Sequence, residues 1–407
     1  MSLNILQITN YCCASMSAND NTGINRVVTA LSEHYVSSYG YRCFNAYYCE
    51  NPSGLSEGFE DGLKITIPLD ADRFRGFLTG NEIDFAVINV SNPEYVREIP
   101  KICSIARSCN VKTIYCIHFM PGYEACTYFN TSLMLYNVSH GIRVFDSLKK
   151  WLIVKSRPLS SFAVRKTIEK RYRLPLQVCD KVAVFVEQYK DRYLKSAHTE
   201  LRNKLVAIPN PLPFQPEFNN DLLEGKQKEV IVVGRLYEPT KRLTYALKIW
   251  RMIERTPGLD DWKLTLVGDG ISKSYYAWLI KRYGLRRVRL VGRQDPKPYY
   301  RMASILLSTS AHEGWPMVLM ECMPMGVVPC VFESYDAASE IIESGVDGIV
   351  VPDHELVTFY SKLKDLMMDN EKRLKMAKAA MEKSVSFCPE IIGARWKKMF
   401  EKMRTGL

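Results

Sequence analysis

The residues best able to do chemistry in this chain stand where apolar runs end. In VGRLYEPTKRL (233–243) an apolar strand closes at Gly234, and Arg235 and Lys241 stand six apart across a loop and a helix start. Glycine lets backbone approach a ligand, and a helix N-terminus favours an anion. Two cations placed there can neutralise a diphosphate leaving group without a metal. The plainer reading is an arginine paired with a surface acid and a solvated lysine. In SAHEGWPMVLMECMPMG (310–326) Glu313 sits in the loop after a short apolar strand that ends in Ser308, Thr309 and Ser310. Pro316 suits the first turn of a helix, and Glu321 lies on that helix. A helix rises about 1.5 Å per residue, so carboxylates at 313 and 321 cannot serve one atom. They can grip two parts of one elongated ligand. The plainer reading has Glu321 capping or pairing on a helix face, and its apolar neighbours in VLMECM weaken that reading.

These groups need a scaffold, and the pattern of apolar runs supplies one. LNILQIT (3–9), YRCFNAYY (41–48), KITIPL (64–69), IDFAVINV (83–90), VKTIYCI (111–117), DKVAVFV (180–186) and KLVAIPN (204–210) read as strands. Helical runs alternate with them. One opens at Gly23, with Val27, Val28, Leu31 and Tyr35 on one face and Gly40 as its stop; another covers 93–109. Residues 209–229 are dense in Pro, Asn and charge and read as a linker. The pattern then restarts, with strands at 229–235, 262–268, 287–292, 304–308, 327–332 and 348–351 and helices between, the first running from Thr240 to Arg255. Alternation of this kind predicts parallel, doubly wound sheets, and hence two Rossmann-like domains facing across a cleft. The expected domains are 1–210 and 211–388, and the helix 389–405, with Ile392, Trp396 and Phe400 on one face, is expected to pack back on the first.

Composition sets limits. The 407 residues are 47% hydrophobic and 24% charged, which suits folded domains with sizeable cores and excludes disorder. The 12 cysteines form no CxxC pair or zinc spacing, and a reducing cytoplasm fits them. Neither the uncharged first 19 residues nor 125–142 is apolar enough for a signal core or a spanning helix. The net charge of +11 is uneven: residues 149–173 hold nine basic side chains against Glu169. Such a run attracts an anionic partner, unless it is only a solvated helical face. Asp70-Ala71-Asp72 spells a metal-binding DxD, but a helix N-cap explains it more simply.

The combination of GRL followed by Lys241, LVGDG (266–270), EGWPMVLMECMPMG (313–326) and SEIIESGVDGIVV (339–351) resembles the retaining glycosyltransferases of family four, which have the GT-B fold. The resemblance covers essentially the whole chain and is strongest from 230 to 352. It implies that Arg235 and Lys241 hold a nucleotide diphosphate. Glu313 then lies by the donor sugar near the reacting centre, and Glu321 binds the ribose hydroxyls. It also implies that the loop Gly292, Arg293 and Gln294 reads the base, that Gly23 faces the phosphates, and that His118, at the end of TIYCIH, lies near sugar and acceptor. Two departures stand out. The first loop has Thr22–Gly23 where two glycines are common, and Asp336, Ala337, Ala338 and Ser339 replace a glycine-rich turn.

The implied reaction is metal-independent, with no cofactor. A sugar passes, with retention, from a UDP- or GDP-sugar to a hydroxyl of a saccharide or polyprenyl-diphosphate-linked acceptor, in polysaccharide, lipopolysaccharide or glycolipid biosynthesis. Basic and apolar residues interleave in 149–173, which suits an anionic membrane surface and a cytoplasmic protein at most peripheral on the inner face of the cytoplasmic membrane. Nucleic acid is not an expected partner. The alternatives are a catalytically inactive transferase-like scaffold and a GT-B nucleotide-sugar epimerase.

Overall fold

The computed structural model describes residues 2–13, 23–51, 54–125, 130–139, 157–214 and 221–406. The chain divides into two compact units: 1–122 with 167–215 and 386–407, and 123–166 with 216–385.

The first unit is built on seven parallel strands: β1 (Asn4–Tyr11), β2 (Arg42–Cys49), β3 (Asp61–Lys64), β4 (Phe85–Asn89), β5 (Lys112–Cys116), β6 (Lys181–Val184) and β7 (Leu205–Ala207). Their order is β3-β2-β1-β4-β5-β6-β7. The order reverses between β1 and β4, which is where open α/β sheets bind ligands, beyond the strands' carboxyl ends. Val27, Val28, Leu31 and Tyr35 of the helix Gly23–Tyr39 are buried, and Gly40, at φ 62°, ends it. The helix Pro389–Thr405 belongs to this unit: the Phe400 ring lies 4.7 Å from Phe85 and 6.1 Å from Tyr35.

The second unit carries six parallel strands: β8 (Gln227–Val233), β9 (Lys263–Val267), β10 (Val288–Gly292), β11 (Ala303–Ser308), β12 (Val328–Glu333) and β13 (Ile349–Pro352), ordered β10-β9-β8-β11-β12-β13. Its switch point lies between β8 and β11. Trp250 and Trp262 anchor the core. The expected boundary at 210 places residues 123–125 and 130–139 in the first domain, whereas the structure groups them with the second unit. The reason is packing by the helix Thr131–Ser139: the Tyr136 ring sits 5.4 Å from both Tyr275 and Trp278. Asn130 just before it donates to Glu238, a carboxylate whose pKa burial raises.

Three local expectations change. The strand expected at 64–69 lies at Asp61–Lys64, because Pro68 cannot donate to a ladder. The helix expected at 93–109 splits into Pro93–Val96 and Ile99–Ser108, since Pro100 is tolerated only in a first turn. The helix expected from Thr240 to Arg255 is interrupted at Arg242, which takes a left-handed conformation at φ 47°. Asp70 is an N-cap: its side chain accepts from the Arg73 backbone N–H, and Asp72 pairs with Arg75.

Candidate functional site

Beside the switch point of the second sheet, two loops leave the neighbouring strands β8 and β9 side by side. The Leu236 N–H donates to the Asp269 carbonyl at 2.8 Å and the Ser272 N–H to the Leu236 carbonyl at 3.0 Å. This approach dictates glycine. Gly268, at φ 149°, lies so close that a Cβ would run into the Gly234 carbonyl. Gly234, at φ 143°, leaves room for the Lys241 stem, 3.3 Å from where its own Cβ would be. The glycines of VGR and GDG therefore let one βα loop lie on another.

Lys241 meets Glu313 there. The Lys241 Nζ lies 2.5 Å from Glu313 Oε1, which also accepts from the Ser310 hydroxyl at 2.7 Å. Both side chains are largely buried. Burial pushes the Glu313 carboxyl up, but the Lys241 charge, the hydrogen bond from Lys241 and that from Ser310 outweigh it and hold the pKa below its usual range. Arg235 is exposed, and its guanidinium lies 5.6 Å from the Tyr237 ring centroid. The loops after β8 and β11 thus place two cations and a carboxylate at one sheet edge, with one cation held by the carboxylate.

What holds these loops is Arg242, whose role no sequence feature marks. Its buried guanidinium donates to the Thr309 carbonyl at 2.9 Å, the Ser310 carbonyl at 2.8 Å and both oxygens of Asp353 at 2.7 and 3.1 Å. The Thr309 hydroxyl returns bonds to the Lys241 and Arg242 carbonyls. A left-handed non-glycine residue costs about 1–3 kcal/mol, and these charge-assisted bonds offset it. The interruption of the helix at Arg242 is therefore what joins the Lys241 loop to the Glu313 loop.

Glu321 lies on the short helix Met317–Cys322, nearly buried, and accepts from the Tyr300 hydroxyl at 2.9 Å. It does not share the Lys241–Glu313 contact. Gly292 ends β10 at φ 77°, and Arg293 and Gln294 after it are exposed. Ala337–Ile341 forms one helical turn in place of a glycine-rich one, with Ala337 and Ala338 buried. The His312 ring beside Glu313 lies 5.1 Å from that of Tyr123, tilted by 38°, and burial lowers its pKa.

Gly23 and His118 belong to the first unit. Gly23 opens its helix; Thr22 lies outside the described residues. His118 follows β5, and its Nε2 is 3.1 Å from Asn89 Oδ1. Burial pushes its pKa down to about 4.

Of the basic run 149–173, residues 149–156 lie outside the described residues, and 157–173 fall in the helix Arg157–Val178. Arg173 pairs with Glu169, and Arg171 lies 4.4 Å from the Phe119 ring centroid. Among the described residues no cluster of three or more His, Cys, Asp or Glu could hold a metal, and no helix is long and apolar enough to cross a membrane.

The family model described as glycosyl transferases group 1 matches residues 227–369, which contain Arg235, Lys241, Gly292, Arg293, Gln294, Glu313 and Glu321. The chain is 33% identical over 243 residues to the amylovoran biosynthesis glycosyltransferase AmsD of Erwinia amylovora, a match spanning 58% of this chain and 65% of that one, just under two thirds. It is 24% identical over 261 residues, 63% of this chain and 70% of the other, to a Campylobacter jejuni protein named as an alpha-1,4-N-acetyl-D-galactosaminyltransferase of a diNAcBac-PP-undecaprenol-linked saccharide. The crystal structure of Anabaena HepE in complex with UDP superposes with a TM-score of 0.71 at 14% identity, covering 99% of this chain and 100% of that one. Residues 227–369 thus match the glycosyl transferases group 1 model, and the chain that carries them has the GT-B fold of two parallel-sheet α/β domains.

Proposed function

We propose that this protein is a retaining glycosyltransferase that moves a sugar from a UDP- or GDP-sugar to a hydroxyl of a saccharide or polyprenyl-diphosphate-linked acceptor in polysaccharide, lipopolysaccharide or glycolipid assembly. The observation that carries the reading is the Lys241–Glu313 pair, with Arg235 on the same βα loop as Lys241, at the switch point of the sheet that matches the family. The named activities of the Erwinia and Campylobacter relatives and the UDP held by HepE support the pathway class, the lipid-linked acceptor and a uridine donor.

In this mechanism the bond from the anomeric carbon to the diphosphate oxygen breaks. A bond to the acceptor oxygen forms on the same face. The departing phosphate oxygen takes the acceptor's proton, so the products are a glycoside and a nucleoside diphosphate. Arg235 and Lys241 stabilise the charge that grows on the leaving group, which is preorganised electrostatic stabilisation without a divalent ion. Lys241 reaches the diphosphate by sharing its ammonium with Glu313, whose carboxylate faces the cation-like anomeric carbon. Glu321 holds the ribose, and the loop Gly292–Arg293–Gln294 borders the base. His118 and Gly23 serve from the first unit. The charge of the basic run 149–173 suits attraction to an anionic membrane on the cytoplasmic side.

The test is incubation with UDP- and GDP-sugars, with and without a polyprenyl-diphosphate acceptor and with chelator. Free nucleoside diphosphate, product mass and anomeric configuration are read out. Acceptor-dependent release with a retained anomer, unaffected by chelator, is expected. Interconversion of the donors without acceptor identifies an epimerase, and no turnover of any donor identifies a scaffold.

A further inference from the structure

The first unit buries a row of polar side chains at its own switch point. Gln7 on β1 and Asn89 on β4 are each 3% exposed, within strands whose other residues are mostly apolar. Buried amides of this kind are kept only where their hydrogen bonds are made. The Asn89 Nδ2 donates to the Gln7 Oε1 at 2.8 Å and to the Val87 carbonyl at 3.3 Å. A backbone carbonyl only accepts, so it fixes which way the Asn89 amide points. The Asn89 oxygen is thereby the atom turned to His118, 3.1 Å from Nε2.

That orientation has a chemical consequence. Facing an oxygen that can only accept, Nε2 must carry the proton. The ring is neutral at pH 7, because burial lowers its pKa to about 4. The other nitrogen, Nδ1, is then bare, and it is buried with no hydrogen-bond partner among the described residues. A buried acceptor left unmade costs about as much as a lost hydrogen bond, so a site retains one for a purpose. His118, Asn89 and Gln7 line one cavity of about 30 Å³, room for a single water or hydroxyl.

We infer that Gln7 and Asn89 are positioning residues that lock His118 as the Nε2–H tautomer, so that Nδ1 is offered as a hydrogen-bond acceptor to a neutral hydroxyl group and not as a donor to a phosphate. This rests on the transferase reading above, in which His118 serves the sugar or its acceptor. Gln7 aligns the Asn89 amide, the Asn89 oxygen holds the His118 proton, and the bare Nδ1 orients a sugar hydroxyl.

The test reads the tautomer directly. Long-range proton–nitrogen correlation spectra of the full-length, histidine-labelled protein at pH 7 contain six histidines, and His118→Gln assigns the one that matters. The wild type is expected to show His118 with protonated Nε2 and bare Nδ1. Asn89→Leu removes the acceptor and is expected to give a mixture of tautomers, with kcat for sugar transfer falling roughly tenfold and nucleoside diphosphate affinity unchanged. Should Asn89→Leu not fold, Asn89→Asp keeps the shape, and its carboxylate is expected to hold His118 doubly protonated at pH 7. A wild-type His118 protonated on Nδ1, or a tautomer indifferent to both substitutions, overturns the inference. Absence of transfer from every donor, with the tautomer locked and both variants shifting it, overturns the transferase reading alone.

Discussion

Arg242 and Asp353, 111 residues apart in sequence, form a two-point ion pair in which Nη2 and Nη1 lie 2.7 and 3.1 Å from the two carboxylate oxygens. The pair fastens the turn after Lys241 to the segment that leads to Glu313, since the same guanidinium also holds the Thr309 and Ser310 carbonyls. Removing one partner of such a pair leaves a charge without its counter-charge in a place water barely reaches.

Asp353→Ala is therefore expected to lower unfolding stability by about 3–5 kcal/mol. Arg242→Met, which removes all four bonds but keeps the stem, is expected to cost at least as much stability and to lose turnover, because the loops lose their common anchor. Urea denaturation of both variants, with parallel rate measurements, checks this. Unchanged midpoints would mean that the pair does not hold the loops.

The close passage of the loops after β8 and β9 makes a second expectation. Gly268→Ala places a methyl group against the Gly234 carbonyl in a conformation that L side chains rarely adopt. It is expected to destabilise the protein and weaken nucleotide binding together. Gly258→Ala, also at positive φ but with open space around it, is expected to show only the smaller backbone cost. Thermal midpoints and nucleotide titrations of the two variants separate crowding from backbone strain.

Glu321 is nearly buried and held by Tyr300. If, as proposed, it holds a ribose, its loss removes charged hydrogen bonds to that sugar, and Glu321→Ala is expected to weaken nucleoside diphosphate affinity by about 1.5–3 kcal/mol. Tyr300→Phe, which removes that hydrogen bond but leaves the carboxylate in place, is expected to do less. Calorimetric titration with UDP and GDP reads both, and equal affinities for parent and Glu321→Ala would remove Glu321 from the site.

His118 and Glu313 both contribute to the acid response. The His118 pKa falls from 6.5 to about 4 on folding, so as pH drops below 6.5 the unfolded chain takes up the proton first. Stability from this group is complete above pH 6.5 and is lost as pH falls toward 4. Glu313 has the same sign lower down: its pKa lies under the ordinary 4.5, so its contribution is lost only as pH falls through the folded value. Melting curves from neutral to acid pH are expected to fall less steeply for His118→Gln in the upper window, and for Glu313→Gln in the lower one.

Much of this was legible in the sequence because it is local. A buried parallel strand is a short apolar run, so twelve of the thirteen strands fall within a few residues of their sequence signals. Arg235, Lys241 and Glu313 are recognisable as charges placed just past such runs. The rest depends on distance. Nothing near Arg242 foretells its left-handed backbone, because the partner that stabilises it, Asp353, is on another element. The expected strand at 64–69 failed through one proline. Residues 131–139 pack with the second unit through Tyr136, a contact no periodicity encodes. Gln7 and Asn89 are the middle case. A polar residue inside an apolar strand is a visible signal, and its meaning appears only once β1 and β4 are neighbours.

The most direct measurement is the turnover of the preferred nucleotide-sugar by the parent, Arg235→Ala and Lys241→Ala, alongside nucleoside diphosphate binding. If fixed positive charge stabilises the departing diphosphate, each substitution lowers kcat by about 100- to 1,000-fold, as loss of one preorganised electrostatic group does elsewhere. Rates equal to the parent's in both variants, with nucleotide binding intact, would contradict it.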